Sequence, residues 1–135
     1  MAYVSRRTIN YDYYEASTNA LFTDTTEYSQ GTTDALKLTI TLKKDFAPNT
    51  KLGFYADMKA TGGAGIARCR FYLNGVQIIY LTESGGTYVT HSGTYTSTYL
   101  SAGDVITVYG GCSVAGLGWA KNIKICGDSK LFAKV

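Results

Sequence analysis

Nucleophilic catalysis by a Ser-His-Asp or Cys-His arrangement needs an imidazole base, and the 135-residue chain carries a single histidine, His91. His91 lies in a Thr- and Ser-rich run, the setting of a surface or rim strand rather than of a catalytic base. The ten acids are scattered, mostly at turns such as Asp45, Asp104 and Asp128, so no two are fixed at one cleft as two-carboxylate glycoside hydrolysis requires. Thr61-Gly-Gly-Ala-Gly65 is glycine-rich, but no Gly-Lys-Ser/Thr follows, and it reads as a hairpin connection rather than a phosphate loop. Asp24 and Glu27 lack the spaced series of oxygen ligands that calcium needs. Cys69, Cys112 and Cys126 show no C-x-x-C spacing and have only one histidine to join them; they read as small buried thiols, with one disulfide plus a spare thiol as the alternative. The residue inventory therefore points away from an enzyme. It offers no catalytic residue, no metal site and no cofactor-binding residue.

What remains is surface. Asn74-Gly75 between two alternating runs is the strongest hairpin signal in the chain. A two-residue turn places Leu73 opposite Val76, Phe71 opposite Ile78 and Cys69 opposite Tyr80 on the core face. The other face then carries Tyr72 with Gln77, Arg70 with Ile79 and Arg68 with Leu81. Aliphatics beside Arg and Tyr suit a subunit contact, so Arg68, Arg70, Tyr72, Ile79 and Leu81 form the candidate interface. The competing reading has the same chain's N-terminal segment cover this face. Tyr109 and Trp119 are candidate stacking platforms for a sugar ring, against the alternative that Trp119 fills the core.

The elements that would position these residues are strands. Leu36, Leu38, Ile40 and Leu42 alternate with polar residues, and so do Leu52, Phe54, Ala56 and Met58, which predicts two strands each with one buried face. Further strands are expected at 87–91 and 94–100, separated by Ser92-Gly93, and at 105–112. In 119–126, Ile123 and Ile125 point one way and Asn122 and Lys124 the other, while Lys121 interrupts the apolar side; a bulge there, or a lysine snorkelling at the sheet rim, reconciles it. Residues 1–31 form an irregular N-terminal segment with edge strands near 4–9 and 20–22, and 131–135 is a last short strand. No dozen-residue stretch has helical spacing. Twelve tyrosines, 15 glycines and one proline fit many short strands joined by turns. The expectation is one all-β domain over 1–135, an antiparallel two-sheet β-sandwich of about eight to ten strands with its core in 34–135.

Charge bounds the partners. The net charge of +3 comes without a basic run, so nucleic acid is not expected as a partner. No apolar run reaches the length of a membrane span, so no membrane insertion is expected, and the N-terminus lacks the apolar centre of a signal peptide.

Gly93-Thr-Tyr-Thr followed by Tyr99-Leu-Ser-Ala-Gly-Asp-Val-Ile-Thr-Val resembles the late strands of jelly-roll modules in C1q/TNF-like domains and in phage and viral structural proteins, fibre tips and capsid decoration proteins among them. The resemblance implies a jelly roll that self-associates, often as a trimer, or attaches to a larger assembly such as a capsid. It carries no active site. The leading expectation is thus a virion structural protein, made in the cytoplasm without a leader and acting as a homo-oligomer. The alternatives are a carbohydrate- or receptor-binding β-sandwich, with glycan as the partner, and an extracellular filament subunit that exchanges its N-terminal segment with a neighbour.

Overall fold

The computed structural model describes residues 20–42, 45–46, 48–62, 65–114 and 117–127. Nine strands are present among them: β1 (Ala20–Asp24), β2 (Tyr28–Gln30), β3 (Ala35–Thr41), β4 (Thr50–Ala60), β5 (Ala67–Leu73), β6 (Val76–Glu83), β7 (Val89–Ser97), β8 (Val105–Cys112) and β9 (Gly118–Gly127). All pair antiparallel in two sheets. One runs β1-β9-β4-β7, with β2 also on β9 beyond the end of β1; the other runs β3-β8-β5-β6. The chain switches sheets at nearly every connection, and the result is the expected all-β sandwich of jelly-roll type.

The layers close because each sheet has one apolar face. From β4, Leu52, Phe54, Ala56, Met58 and Ala60 point inward, and they meet Cys69 and Phe71 of β5 and Ile106 and Val108 of β8. The Phe54 and Phe71 rings touch across the interior at 5.0 Å, tilted by 56°. Gly93, opposite Phe54 on β7, sits where a Cβ would come within 3.1 Å of Ile79 Cδ1 in the facing sheet. That contact explains why Ser92-Gly93 does not split the strand: β7 runs through it, and ends at Ser97 rather than at 100. Likewise Gly110 and Gly111 stay inside β8, with the Gln30 side chain lying against the first and Asp34 against the second.

The Asn74-Gly75 turn forms as the sequence dictates, with φ of 49° and 85° at its two residues and Leu73 opposite Val76. The register beyond it departs from expectation. A bulge falls between Phe71 and Tyr72, so Tyr72 pairs with Gln77 and Phe71 with Ile79; Arg70 then faces Tyr80 and Cys69 faces Leu81. One extra residue turns the rest of β6 over. Ile79 and Leu81, expected on the outer face, are 8% and 7% exposed in the core, and Tyr80 takes their place outside. A second bulge, between Leu36 and Leu38, puts Leu36 on the outer side at 51% exposure, whereas Leu38 and Ile40 pack against the core. The strand expected near 20–22 is β1. Those expected at 4–9 and 131–135 lie outside the described residues.

The three cysteines are buried and free. Burial, with a smaller contribution from the Asp34 charge, pushes the Cys69 thiol up to about 12, so it stays protonated and unreactive.

The corrected register has a measurable consequence. Ile79→Ala is expected to lower unfolding stability in urea by about 2–5 kcal/mol, as a buried truncation does. Val76→Ala, on the same strand but 66% exposed, is expected to change it by no more than about 0.5 kcal/mol.

Candidate functional site

The outer face of the five-stranded sheet is built by strand alternation and one deliberate break in it. Because Leu52 to Ala60 send their even-numbered side chains inward, Tyr55, Asp57 and Lys59 point out from β4. On β7 the neighbours of Tyr55 and Asp57 are Ser92 and Thr90. On β9 their neighbours are Lys124 and Lys121, with Trp119 beside Lys59. Tyr55 and Asp57 are two residues apart, but Lys124 and Lys121 are three apart. The extra residue is a bulge, and Asn122 occupies it with a φ of 52°. The expected irregularity at Lys121 is this bulge. It lets Ile123 and Ile125 enter the core while Lys121, Asn122 and Lys124 all remain on the outer face.

The side chains so placed enclose an open cleft of about 370 Å³ lined by Thr23, Tyr55, Asp57, Thr90, Asn122 and Lys124, drawn from four strands. The volume falls in the range of small-ligand sites, about 300–1,000 Å³. Asp57 is held at its centre: Thr90 Oγ1 donates to one carboxylate oxygen at 2.5 Å, and Asn122 Nδ2 donates to the other at 2.8 Å. A carboxylate has about four acceptor positions, so two remain for a ligand. The Lys124 ammonium lies 5.1 Å from the Tyr55 ring centroid, and the lysine lines the same cleft. Burial first, and then the neighbouring Cys126, raise the Tyr55 hydroxyl above its ordinary range, so it is a neutral donor and acceptor at physiological pH. Donors and acceptors thus surround one aromatic ring, an arrangement that matches a polyhydroxylated ligand.

Next to the cleft is an aromatic and cationic cluster. Tyr88, just before β7, reaches across the face until its hydroxyl donates to Glu27 on the β1–β2 turn. Burial, then that hydrogen bond and the charges of Glu27 and Asp57, raise its hydroxyl well above the usual tyrosine range. Lys59 Nζ lies 4.6 Å from the Tyr88 ring centroid and 5.1 Å from that of Trp119, and Lys121 Nζ lies 4.2 Å from Tyr88. Trp119 is half-buried on this outer surface rather than in the core.

The other outer face holds the residues that hairpin reasoning singled out. Arg68, Arg70 and Tyr72 are there, and Ile79 and Leu81 are not. Arg68 Nε donates to one Asp34 oxygen at 3.0 Å and Arg70 Nε to the other at 2.6 Å. Arg70 also donates to Gln77 Oε1 and lies 4.1 Å over the Tyr80 ring. Tyr109 packs edge-on against Tyr72 at 5.2 Å. The structure therefore separates Tyr109 from Trp119, placing them on opposite sides of the sandwich. Burial alone would raise the Asp34 carboxyl, but the hydrogen bonds and charges of Arg70 and Arg68 outweigh it and hold the group below the ordinary aspartate value. His91 is paired with Glu83, Nε2 to Oε1 at 2.6 Å, and Glu83 also accepts from Gly85 N–H. Among the described residues no group of three His, Cys, Asp or Glu side chains could hold a metal ion.

Sequence reasoning singled out Trp119, which lies on this face beside the cleft, and the Lys121 irregularity, but not Tyr55, Asp57, Thr90 or Asn122. Their signal was present in part: β4 alternation already exposes Tyr55 and Asp57. That Thr90 and Asn122 flank Asp57 depends on two cross-strand registers.

Two measurements probe these arrangements. Asn122→Ala is expected to cost about 1–2 kcal/mol, because alanine tolerates the left-handed backbone poorly and the bond to Asp57 is lost; Asn122→Gly, free of the backbone penalty, is expected to cost less. For Asp34, whose carboxyl is lowered on folding, the ion pairs stabilise the fold fully above about pH 4 and progressively less as pH falls through the lower folded value. Asp34→Asn is therefore expected to be less stable at neutral pH, with the gap narrowing below about pH 4 in a urea-midpoint series.

No protein-family profile matches the chain, and no curated protein matches it in sequence. Solved structures do match in shape. The C-terminal domain of EclA, a sugar-binding protein, superposes with a TM-score of 0.53 at 18% identity, over 77% of this chain and 78% of that one. The CBM36-1 domain of a multidomain xylanase from the hindgut metagenome of Trinervitermes trinervoides superposes with a TM-score of 0.51 at 10% identity, over 92% and 98%. Latent PorU from Porphyromonas gingivalis gives 0.50 at 11% identity, over 90% of this chain but 13% of that one. At these identities the shared property is the fold, a jelly-roll β-sandwich.

Proposed function

We propose that this chain is a carbohydrate-binding β-sandwich that takes a sugar on the outer face of its five-stranded sheet, without transforming it. The observation that carries the reading is the cleft around Asp57. Tyr55 offers a ring face, Asp57 two free acceptor positions, Asn122 an unused carbonyl and N–H, and Lys124 an ammonium, all within one open hollow of sugar-binding size. Vicinal hydroxyls are read by such planar side chains, and the apolar face of a pyranose packs on an aromatic ring. The lining contains one carboxylate, Asp57, whereas glycoside hydrolysis by acid and base requires two. That two of the similar folds belong to a sugar-binding protein and to a domain of a xylanase supports the same reading.

The expectation of a virion subunit rested on the jelly-roll resemblance and, in part, on an exposed aliphatic face. With Ile79 and Leu81 in the core and Arg68 and Arg70 paired to Asp34, the second of these supports is lost.

The test is binding to an array of neutral and acidic oligosaccharides, followed by calorimetry on whatever binds. Tyr55→Ala and Asp57→Asn are each expected to weaken binding about tenfold or more, the value of one hydrogen bond or one stacked ring. Tyr80→Ala, exposed on the opposite sheet, is expected to leave it unchanged. Absence of binding to any glycan, or binding indifferent to Tyr55 and Asp57, overturns the proposal.

A further inference from the structure

The two outer faces handle their positive charge differently. On the four-stranded sheet, Arg68 and Arg70 share the Asp34 carboxylate, so the arginines have a counter-ion built in. On the five-stranded sheet, Lys59, Lys121 and Lys124 contact aromatic rings and, among the described residues, form no ion pair. The acids nearby are committed otherwise. Glu27 takes the Tyr88 hydroxyl, and both Asp57 oxygens take neutral donors. Lys59 and Lys121 moreover both rest against the Tyr88 ring, at 4.6 and 4.2 Å from its centroid, so two like charges share one aromatic partner. Cation–π attraction at an exposed site is worth only about 0.5–1 kcal/mol. An anion beside the two ammonium groups would add the direct ion pair that neither Glu27 nor Asp57 makes with them, while leaving both rings in place.

The position of this pair relative to the cleft matters as much as its charge. Lys59 is one outward position along β4 from Asp57, a step of about 7 Å, and Lys121 is the cross-strand neighbour of Asp57 itself. A ligand seated in the cleft therefore has a substituent or an adjoining unit at the Lys59–Lys121 pair.

We infer that the sugar taken by this face is acidic, with its carboxylate or sulfate at the Lys59 and Lys121 ammonium groups and its hydroxyls in the cleft around Asp57. This rests on the sugar-binding reading and specifies its ligand class. Lys124 adds a third positive charge at the far side of the cleft, so a chain of acidic units is favoured over a single terminal one.

The experiment compares three matched sets of oligosaccharides on the full chain: uronic-acid oligomers, sulfated galactan oligomers and their neutral counterparts, with oligothymidylate as a polyanion lacking a sugar-acid pattern. Acidic oligomers are expected to bind about tenfold or more tightly than neutral ones. The preference should shrink between about 50 and 300 mM NaCl, as charge pairing does under screening. Preference for uronate over sulfate, or the reverse, identifies which anion the pair accepts. The Lys59→Gln/Lys121→Gln double variant is expected to lose most of the preference, and Lys37→Gln, on a strand of the other sheet, to retain it. The salt dependence of the unaltered protein gives the same answer should the double variant fold poorly. Neutral oligomers bound as tightly as acidic ones, with Tyr55 and Asp57 still required, overturn the acidic ligand and leave the sugar site standing. Oligothymidylate bound as tightly as the acidic sugars overturns it too, as unselective charge attraction. No binding to any sugar overturns both readings.

Discussion

One extra residue in β9 governs both the interior and the candidate site. A strand of strict period two would put Lys121, Ile123 and Ile125 on one face, and no sandwich core accommodates a lysine between isoleucines without a large desolvation cost. Opposite the single residue Ala56, β9 instead supplies two, Asn122 and Ile123. The bulge shifts the phase of the strand, so Ala120 below it and Ile123 and Ile125 above it all face inward. Asparagine suits the position because it accepts a positive φ more readily than other side-chain-bearing residues. Its amide then reaches Asp57. The device that resolves a packing conflict thus also delivers the group that orients the central carboxylate of the cleft.

What could be read from the sequence follows the range of the interaction that sets each feature. The Asn74-Gly75 turn depends on two residues' backbone preferences, and both have the positive φ their types allow. Alternation along 52–58 depends on a single strand, and it correctly assigns Phe54 and Met58 to the interior. Ile79 and Leu81 were misplaced because their facing depends on how many residues of β6 lie opposite β5, and Ile78 contains no local mark of being the unpaired one. Trp119 illustrates the same limit from the other side: its size suggests burial, but its facing is fixed by the β4 register, which sets it beside Lys59 on the outer surface. The irregularity at Lys121 was legible since a charge on an apolar stripe is a local contradiction. Its partners were not.

The glycines of β8 show how the opposite face came to be self-neutralised. Gly111 points outward where any Cβ would fall 2.0 Å from Asp34 Oδ1, and Gly110 points inward against the Gln30 amide. Without side chains there, Asp34 settles onto the sheet close enough to bridge Arg68 and Arg70, which belong to the adjacent strand. The carboxylate is only partly covered, at 25% side-chain exposure, so the ion pairs act mainly to fix the geometry of three charged groups rather than to supply much net stability.

The five-stranded sheet has no equivalent device. Its outward positions carry Tyr55, Asp57, Thr90, Ser92, Trp119 and lysines, and the one acid at the centre is held by neutral donors. A surface whose lysines rest on aromatic rings, while its acids accept from neutral donors, keeps its hydrogen-bonding groups and its apolar area available to something else. A hydroxyl-rich ligand whose acidic group lies toward Lys59 and Lys121, away from the Asp57 carboxylate, would use the rings, the hydrogen-bonding groups and the lysines together.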